Sequence, residues 1–143
     1  MRLSQLINTI GQIYRAEHVG LMRGVARHFA WQIRRCTGAF PVDLTFSQSR
    51  LRAERACAVG ALVNCLGMYD YNNMNLIKLL LTFENSVFFD VGANIGSYAL
   101  IASEQAGRVV CFEPNPTAFR CLCENLSLNG RDNVNAINCA ISD

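Results

Sequence analysis

Two carboxylates and two glycines are the residues of this chain most able to do chemistry. Asp90 lies near the end of the short apolar run SVFFDV, and the turn that follows extends from Gly92 to Gly96. Glu113 closes a second apolar run, RVVCFE, roughly 20 residues further on. Glycines let a ligand approach the backbone closely, and the N-terminus of a following helix attracts a carboxylate or a phosphate. The pattern therefore predicts a small-molecule site between these two acids.

The residues between the glycines distinguish two kinds of ligand. A dinucleotide site uses G-x-G-x-x-G, with a glycine where the pyrophosphate presses on the backbone, whereas Ala93 and Asn94 occupy that place here. Asp90 would repel a pyrophosphate, but it suits a ligand that carries an ammonium group. S-adenosylmethionine has an ammonium, a sulfonium and a carboxylate, so Asp90 would face its cationic side. Glu113 would accept hydrogen bonds from the ribose hydroxyls, as an acid at this place also does in dinucleotide enzymes.

Each acid also has a structural interpretation that the sequence leaves open. Asp90 could cap a helix or a turn, and Glu113 could be a solvated strand end. Their occurrence together, at this spacing from the glycines, favours the ligand-binding interpretation.

The elements that must position these residues follow from the hydrophobic pattern. From residue 86 onward, strand, helix, strand, helix and strand alternate, which predicts right-handed crossovers and a parallel sheet. The segments are SVFFDV, NIGSYALIASEQAG, RVVCFE, NPTAFRCLCENLSLNG and NVNAINCA. Residues 1–66 are expected to form an N-terminal preface to the sheet. The pattern predicts two amphipathic helices broken near Gly20, then a β-hairpin from Val42 to Ala53 and a helix over 57–66. A further helix, over 71–82, is predicted directly before the sheet.

Composition and charge limit the class of protein. Half of the 143 residues are apolar, which is typical of a globular chain. Residues 1–60 carry nine arginines against three acids, and residues 61–143 carry eight acids against four basic residues. The basic half indicates a solvated helix face or, as an alternative, an anionic partner such as a membrane surface or nucleic acid.

The seven cysteines and two histidines indicate neither a disulfide framework nor a metal site. No CxxC pair occurs, the cysteine count is odd, and the histidines lie in the N-terminal helices. No apolar run is long enough to cross a bilayer. Reduced thiols and a cytoplasmic location are therefore expected.

The residues from 67 to 143 resemble the FkbM-type S-adenosylmethionine-dependent methyltransferases. The segments VFFDVGANIGSYALIAS, VVCFEPNP and NLSLNGRDNVNAINCAISD are similar to that family, in which D-x-G-A-N-x-G-x-Y and E-P-N-P are characteristic. GMYD at 67–70 resembles the G-x-Y-[ED] that precedes the family's sheet. Residues 1–60 are similar only in general layout.

The resemblance implies an α/β, Rossmann-like class I methyltransferase fold with a seven-stranded sheet, here truncated after the third strand. It implies S-adenosylmethionine as cofactor and transfer of a methyl group to a hydroxyl of a sugar or natural product. The cofactor-binding residues that it implies are Asp90, Gly92, Ala93, Asn94, Gly96 and Tyr98 on the methionine side, Glu113 and Asn115 at the ribose, and Ser142 and Asp143 near the adenine.

The resemblance names no catalytic residue, because the family's acceptor-positioning groups would follow the third strand. The expected acceptor is a small molecule or glycan and not a nucleic acid. The isolated chain is expected to be inactive and to bind the cofactor weakly or not at all. It is also expected to self-associate through an exposed strand edge unless the N-terminal helices cover that edge. Two alternatives stay open: a non-catalytic nucleotide-binding or interaction module, and an NAD(P)-dependent oxidoreductase.

Overall fold

The helices and strands coincide with segments of regular hydrophobic spacing, and they are bounded by glycines, helix-capping residues and turns. The computed structural model describes residues 3–16, 18–83 and 85–142. The helices are α1 (Leu3–Arg15), α2 (Leu21–Thr37), α3 (Ala58–Leu66), α4 (Tyr71–Leu80), α5 (Ser97–Ser103) and α6 (Pro116–Leu128). The strands are β1 (Val42–Phe46), β2 (Ser49–Ala53), β3 (Val87–Val91), β4 (Arg108–Phe112) and β5 (Val134–Ile137). None of the helices in these ranges is long and apolar enough to span a membrane.

The chain forms two compact units. The helical unit consists of Met1–Leu44 and Ala53–Tyr69, and the sheet unit consists of Thr45–Arg52 and Asp70–Asp143. The predicted hairpin is present as the β1–β2 pair. Its tip, residues 45–52, groups with the sheet unit, although the sequence assigned the whole hairpin to the preface.

The helical unit packs around α2. Gly24 of α2 lies so close to Ile13 of α1 that an added Cβ would be 2.3 Å from the Ile13 Cγ2, so this approach requires glycine. Trp31 is buried and meets Phe40 edge to face, with ring centroids 5.0 Å apart. Among the described residues, His18 and His28 both lie in this unit, and His28 contacts the Cys65 thiol at 3.9 Å.

The sheet unit has the predicted parallel sheet, in the order β3-β4-β5. Its register places Asp90 beside Cys111 and Val91 beside Phe112, so the two strands end together. The helix after β3 is shorter than the predicted segment from Asn94 to Gly107. Asn94 and Gly96 have left-handed backbone conformations, with φ of 52° and 91°, which no helix can include.

The tip of the hairpin is fixed to α6 by two asparagine side chains. The amide group of Asn129 accepts from the Arg50 N–H and donates to the Arg50 carbonyl, both at 2.7 Å. Asn125, one helical turn earlier, does the same for Arg52, at 2.6 and 3.4 Å. Because each amide satisfies one donor and one acceptor, these side chains replace a neighbouring strand along this edge of β2.

A buried carboxylate holds the same tip from a second direction. Glu104 accepts hydrogen bonds from the Ser47 hydroxyl at 2.8 Å, the Gln48 N–H at 3.0 Å and the Ser49 hydroxyl at 3.2 Å. Its side chain is 0% exposed and forms an ion pair with Lys78 at 2.9 Å. The charge of Glu104 is therefore both paired and hydrogen-bonded, as a buried charge requires.

The outer surface of β3 carries exposed apolar side chains. Val87, Phe89 and Val91 alternate along the strand and are 49%, 62% and 62% exposed. Within the described ranges β3 pairs with β4 alone. Self-association through this strand stays a prediction, which the exposed row of side chains supports.

Candidate functional site

Asp90 is a buried carboxylate with one partnered and one unpartnered oxygen. One oxygen accepts a hydrogen bond from the Ala99 N–H in the first turn of α5. The other, Oδ2, is buried and has no hydrogen-bond partner among the described residues. Burial raises the pKa of Asp90 to about 6, against the opposing effect of the Ala99 N–H. Asp90 thus accepts a hydrogen bond from the first turn of α5, as the capping interpretation requires, and its Oδ2 keeps an unused acceptor.

The turn after β3 is fixed by the end of β4. The Gly92 and Ala93 N–H groups both donate to the Phe112 carbonyl, at 2.8 and 3.1 Å. The Gly96 N–H donates to the Ala93 carbonyl at 2.9 Å. These N–H groups are therefore used within the protein, and a ligand at this turn would meet its other atoms.

The two glycines of the turn have different roles. A Cβ added to Gly92 would meet nothing within 4 Å, whereas one added to Gly96 would lie 2.6 Å from Cδ1 of Leu122. Gly92 thus borders open space, as a ligand-contacting residue must. Gly96, by contrast, lies at a close approach between the turn and a helix. The close neighbour is α6, because the Leu122 side chain fills the space beside Gly96.

Glu113 is buried and links the loops that follow β3 and β4. Its Oε2 accepts from the Asn94 N–H and its Oε1 from the Asn115 N–H, both at 2.8 Å. It is 7% exposed, so it is no solvated strand end. Each carboxylate oxygen has a second lone pair, and these remain for hydroxyl donors.

The remaining predicted residues lie around these acids or away from them. The side-chain oxygen of Asn115 accepts from the Thr117 and Ala118 N–H groups, at 2.9 and 3.1 Å, and so caps α6. Ser142 is exposed after β5, and Asp143 lies outside the described residues. The contributions of Asn115, Ser142 and Asp143 to a ligand site therefore stay predictions.

Asp70 contacts a predicted site residue, Tyr98, but was not itself predicted as a site residue. The Tyr98 hydroxyl, from the first turn of α5, donates to Oδ2 of Asp70 at the N-cap of α4. The signal was present in the sequence, since GMYD ends at Asp70 and GANIGSY ends at Tyr98. Sequence spacing alone could not show that the two motifs meet.

This arrangement of groups is suited to bind a ligand that carries one cationic group and several hydroxyl donors. Asp90 supplies an unpartnered carboxylate oxygen, Gly92 an open surface and Glu113 two acceptors. Burial raises the pKa of the adjacent Cys111 thiol to about 12, so it stays protonated and is no nucleophile. Within the described ranges no group of three or more His, Cys, Asp or Glu residues could hold a metal ion.

The sheet, its two crossover helices and the turn after β3 are those of the class I methyltransferase fold, which solved methyltransferase structures share. Wild-type Trm5b from Pyrococcus abyssi is 25% identical with a TM-score of 0.53, over 66% of this chain and 27% of that one. TYW2 from M. jannaschii in complex with AdoMet is 26% identical with a TM-score of 0.50, over 67% of this chain and 42% of that one.

A curated protein that is similar in sequence is also a methyltransferase. Hexuronic acid methyltransferase AglP of Haloferax volcanii is 49% identical over 53 residues, which are 36% of this chain and 22% of that protein. No model of a protein family matches this chain. The chain is related to methyltransferases, and it spans less than half the length of each of these three proteins.

Proposed function

We propose that this chain binds S-adenosylmethionine and belongs to an S-adenosylmethionine-dependent methyltransferase. The observations that carry the proposal are the Asp90 carboxylate, whose buried Oδ2 has no hydrogen-bond partner among the described residues, and Gly92 two positions later, which borders open space. A partnerless buried acceptor is unfavourable unless a donor meets it. The ammonium group of the cofactor is such a donor, and an NAD pyrophosphate is not.

The other described groups fit the same cofactor. Asp90 would hold the cationic end, Glu113 would accept the ribose hydroxyls while retaining its bonds to Asn94 and Asn115, and Tyr98 would line the methionine side with its hydroxyl fixed by Asp70. When bound, S-adenosylmethionine supplies the methyl group. No described side chain is assigned a catalytic role.

Binding is the direct test. Saturation-transfer NMR with millimolar S-adenosylmethionine or NAD detects weak complexes of the 143-residue chain. We expect a signal for S-adenosylmethionine that Asp90→Asn and Glu113→Gln each abolish. Asp132→Asn is the matched control, because it removes a negative charge from the exposed loop before the N-terminal end of β5. This variant should give the same S-adenosylmethionine signal as the wild type. An equal signal for NAD, or a full signal in Asp90→Asn, would contradict the proposal.

For the acceptor we propose a hydroxyl of a sugar, methylated on oxygen. The support is the name of AglP, a hexuronic acid methyltransferase, together with the FkbM-type motifs around Asp90 and Glu113. Proteins of the same fold include one solved as a complex of aTrm5 and tRNALeu, so the expectation that nucleic acid is no acceptor is unsupported. Assays of the gene product with labelled cofactor should compare a hexuronic acid glycoside with tRNA. Methylation of tRNA alone would overturn the sugar assignment.

A further inference from the structure

The outer face of α2 is a continuous apolar stripe. Met22, Ala26, Phe29 and Ile33 recur at the spacing that places side chains on one face of a helix, and all four are exposed. Met22, Phe29 and Ile33 are 84%, 50% and 64% exposed. We call these four residues the α2 stripe. Scattered exposed apolar residues need no explanation, but an aligned stripe of this size marks an interaction surface.

A row of arginines runs beside the α2 stripe. Arg23, Arg27 and Arg34 each follow a stripe residue directly, so they occupy an adjacent row of the same helix. Arg35 is a fourth cation on α2, and neither α1 nor α2 contains an acid. No carboxylate of residues 3–16, 18–83 or 85–142 forms an ion pair with any of these four arginines. Their charge is thus available to a partner outside the chain.

We propose that α2 lies on an anionic lipid surface, with the α2 stripe inserted among the acyl chains near the headgroups. A helix with large apolar side chains on one face and arginines beside them is typical of interfacial membrane binding. The arginines would reach anionic headgroups while their methylene stems stay with the apolar layer. Seventeen residues give α2 a length of about 25 Å, so it would lie in the plane of the surface.

Two other occupants fit the observations less well. A second copy packed symmetrically on the same face would bring two sets of unpaired arginines together, and like charges repel. A nucleic acid would use the arginines and could stack a base on Phe29, but Met22 and Ile33 offer it neither stacking nor hydrogen bonds. Lipid uses both the charge and the aliphatic side chains.

Vesicle sedimentation tests the proposal with the whole chain. We expect binding to phosphatidylcholine vesicles containing about one-third phosphatidylglycerol, and at least tenfold weaker partition into pure phosphatidylcholine, since each arginine near an anionic surface adds to the attraction. Met22→Ser/Phe29→Ser/Ile33→Ser and Arg23→Gln/Arg27→Gln/Arg34→Gln should each lower partition at least tenfold. Leu79→Ser/Leu80→Ser, which removes exposed leucines from the sheet unit, and Arg108→Gln/Arg120→Gln are matched controls that should bind as the wild type does.

Three results would overturn the proposal. The first is absence of binding to the anionic vesicles. The second is a loss in the arginine variant without a loss in the stripe variant, which would indicate electrostatic adsorption to the vesicles without insertion of the α2 stripe. The third is a concentration-dependent dimer that the stripe variant disperses while vesicles leave the wild type in solution. Because the substituted side chains are exposed, except for that of Arg27, which is half-buried, circular dichroism should show nearly unchanged helix content in every variant.

Discussion

The Tyr98 hydroxyl donates a hydrogen bond to the Asp70 carboxylate, and this bond joins the first turn of α5 to the N-terminus of α4. Hydrogen bonds to charged groups stabilise proteins by about 1.5–3 kcal/mol. We expect Tyr98→Phe and Asp70→Asn each to lower the free energy of unfolding by an amount near or below this range. Urea denaturation of the two single variants and the double variant gives the coupling energy, and strictly additive losses would show that the bond contributes nothing.

Asp90 should make both stability and cofactor affinity depend on pH. Its pKa is about 6 in the folded chain and 3.8 in the reference state. Since the folded pKa is raised, the stabilising contribution of the protonated acid is complete below 3.8 and is lost as pH rises through 6. The difference amounts to about 3 kcal/mol at pH 7.

We therefore expect the stability of Asp90→Asn relative to the wild type to increase by about 3 kcal/mol between pH 3 and pH 7. A cationic ligand prefers the carboxylate, so cofactor affinity of the wild type should rise with pH through 6. Urea unfolding and NMR titration at several pH values measure the two effects. Parallel pH profiles of Asp90→Asn and the wild type would show that Asp90 titrates normally.

The glycines of the turn should respond differently to alanine. At Gly96 the new Cβ would lie 2.6 Å from the buried Leu122 side chain, and the φ of 91° is unfavourable for alanine. We expect Gly96→Ala to cost about 3 kcal/mol or more. Gly92→Ala meets open space and should cost only about 1–2 kcal/mol, from its φ of 81°.

Leu122→Ala provides the control for Gly96. The smaller side chain makes room for the new Cβ, so the double variant should lose less stability than the sum of the two single losses. Thermal unfolding measures all of these variants. Equal losses for Gly92→Ala and Gly96→Ala would show that packing against Leu122 is unimportant.

Asn125 should not tolerate an isosteric acid. It is 0% exposed, and its amide nitrogen donates to the Ile95 carbonyl at 2.9 Å and to the Arg52 carbonyl at 3.4 Å. Asn125→Asp would place an ionised oxygen against two carbonyl oxygens and should cost about 3 kcal/mol or more at pH 7. Part of this loss should return in acid, because a protonated carboxyl can donate.

Asn129→Asp is the matched comparison, since Asn129 also pairs with a backbone carbonyl but is only half-buried. Because solvent screens the new charge, Asn129→Asp should lower the free energy of unfolding much less than Asn125→Asp does. Urea unfolding at pH 4 and pH 7 compares the two variants. A loss in Asn125→Asp that is independent of pH would contradict this account.

The sequence predicted those parts of the fold that depend on local pattern. The apolar runs around Phe89 and Val110 predicted the parallel strands β3 and β4, and Pro116 predicted the first residue of α6. That Asp90 and Glu113 lie near one edge of the sheet could be predicted, because Asp90 is close to the end of β3 and Glu113 directly follows β4, a parallel neighbour. The hydrogen bonds of Asn125 and Asn129 could not, because they join side chains to backbone groups more than 70 residues away. The contact of Gly96 with Leu122 was missed for the same reason, since turn chemistry identifies a glycine without its neighbour.

The Glu104 carboxylate, which holds Ser47, Gln48 and Ser49, has a consequence for the order in which the chain folds. These partners lie 55 to 57 residues before Glu104, and Arg131 reaches the Ser49 hydroxyl across 82 residues. Contacts between distant residues close large loops, and their entropy must be lost before the contacts stabilise anything. The crossover segments from β3 to β5 join near neighbours and can form first. We therefore expect the hairpin tip to dock late in folding, so that its contacts affect the unfolding rate of the sheet unit more than its folding rate.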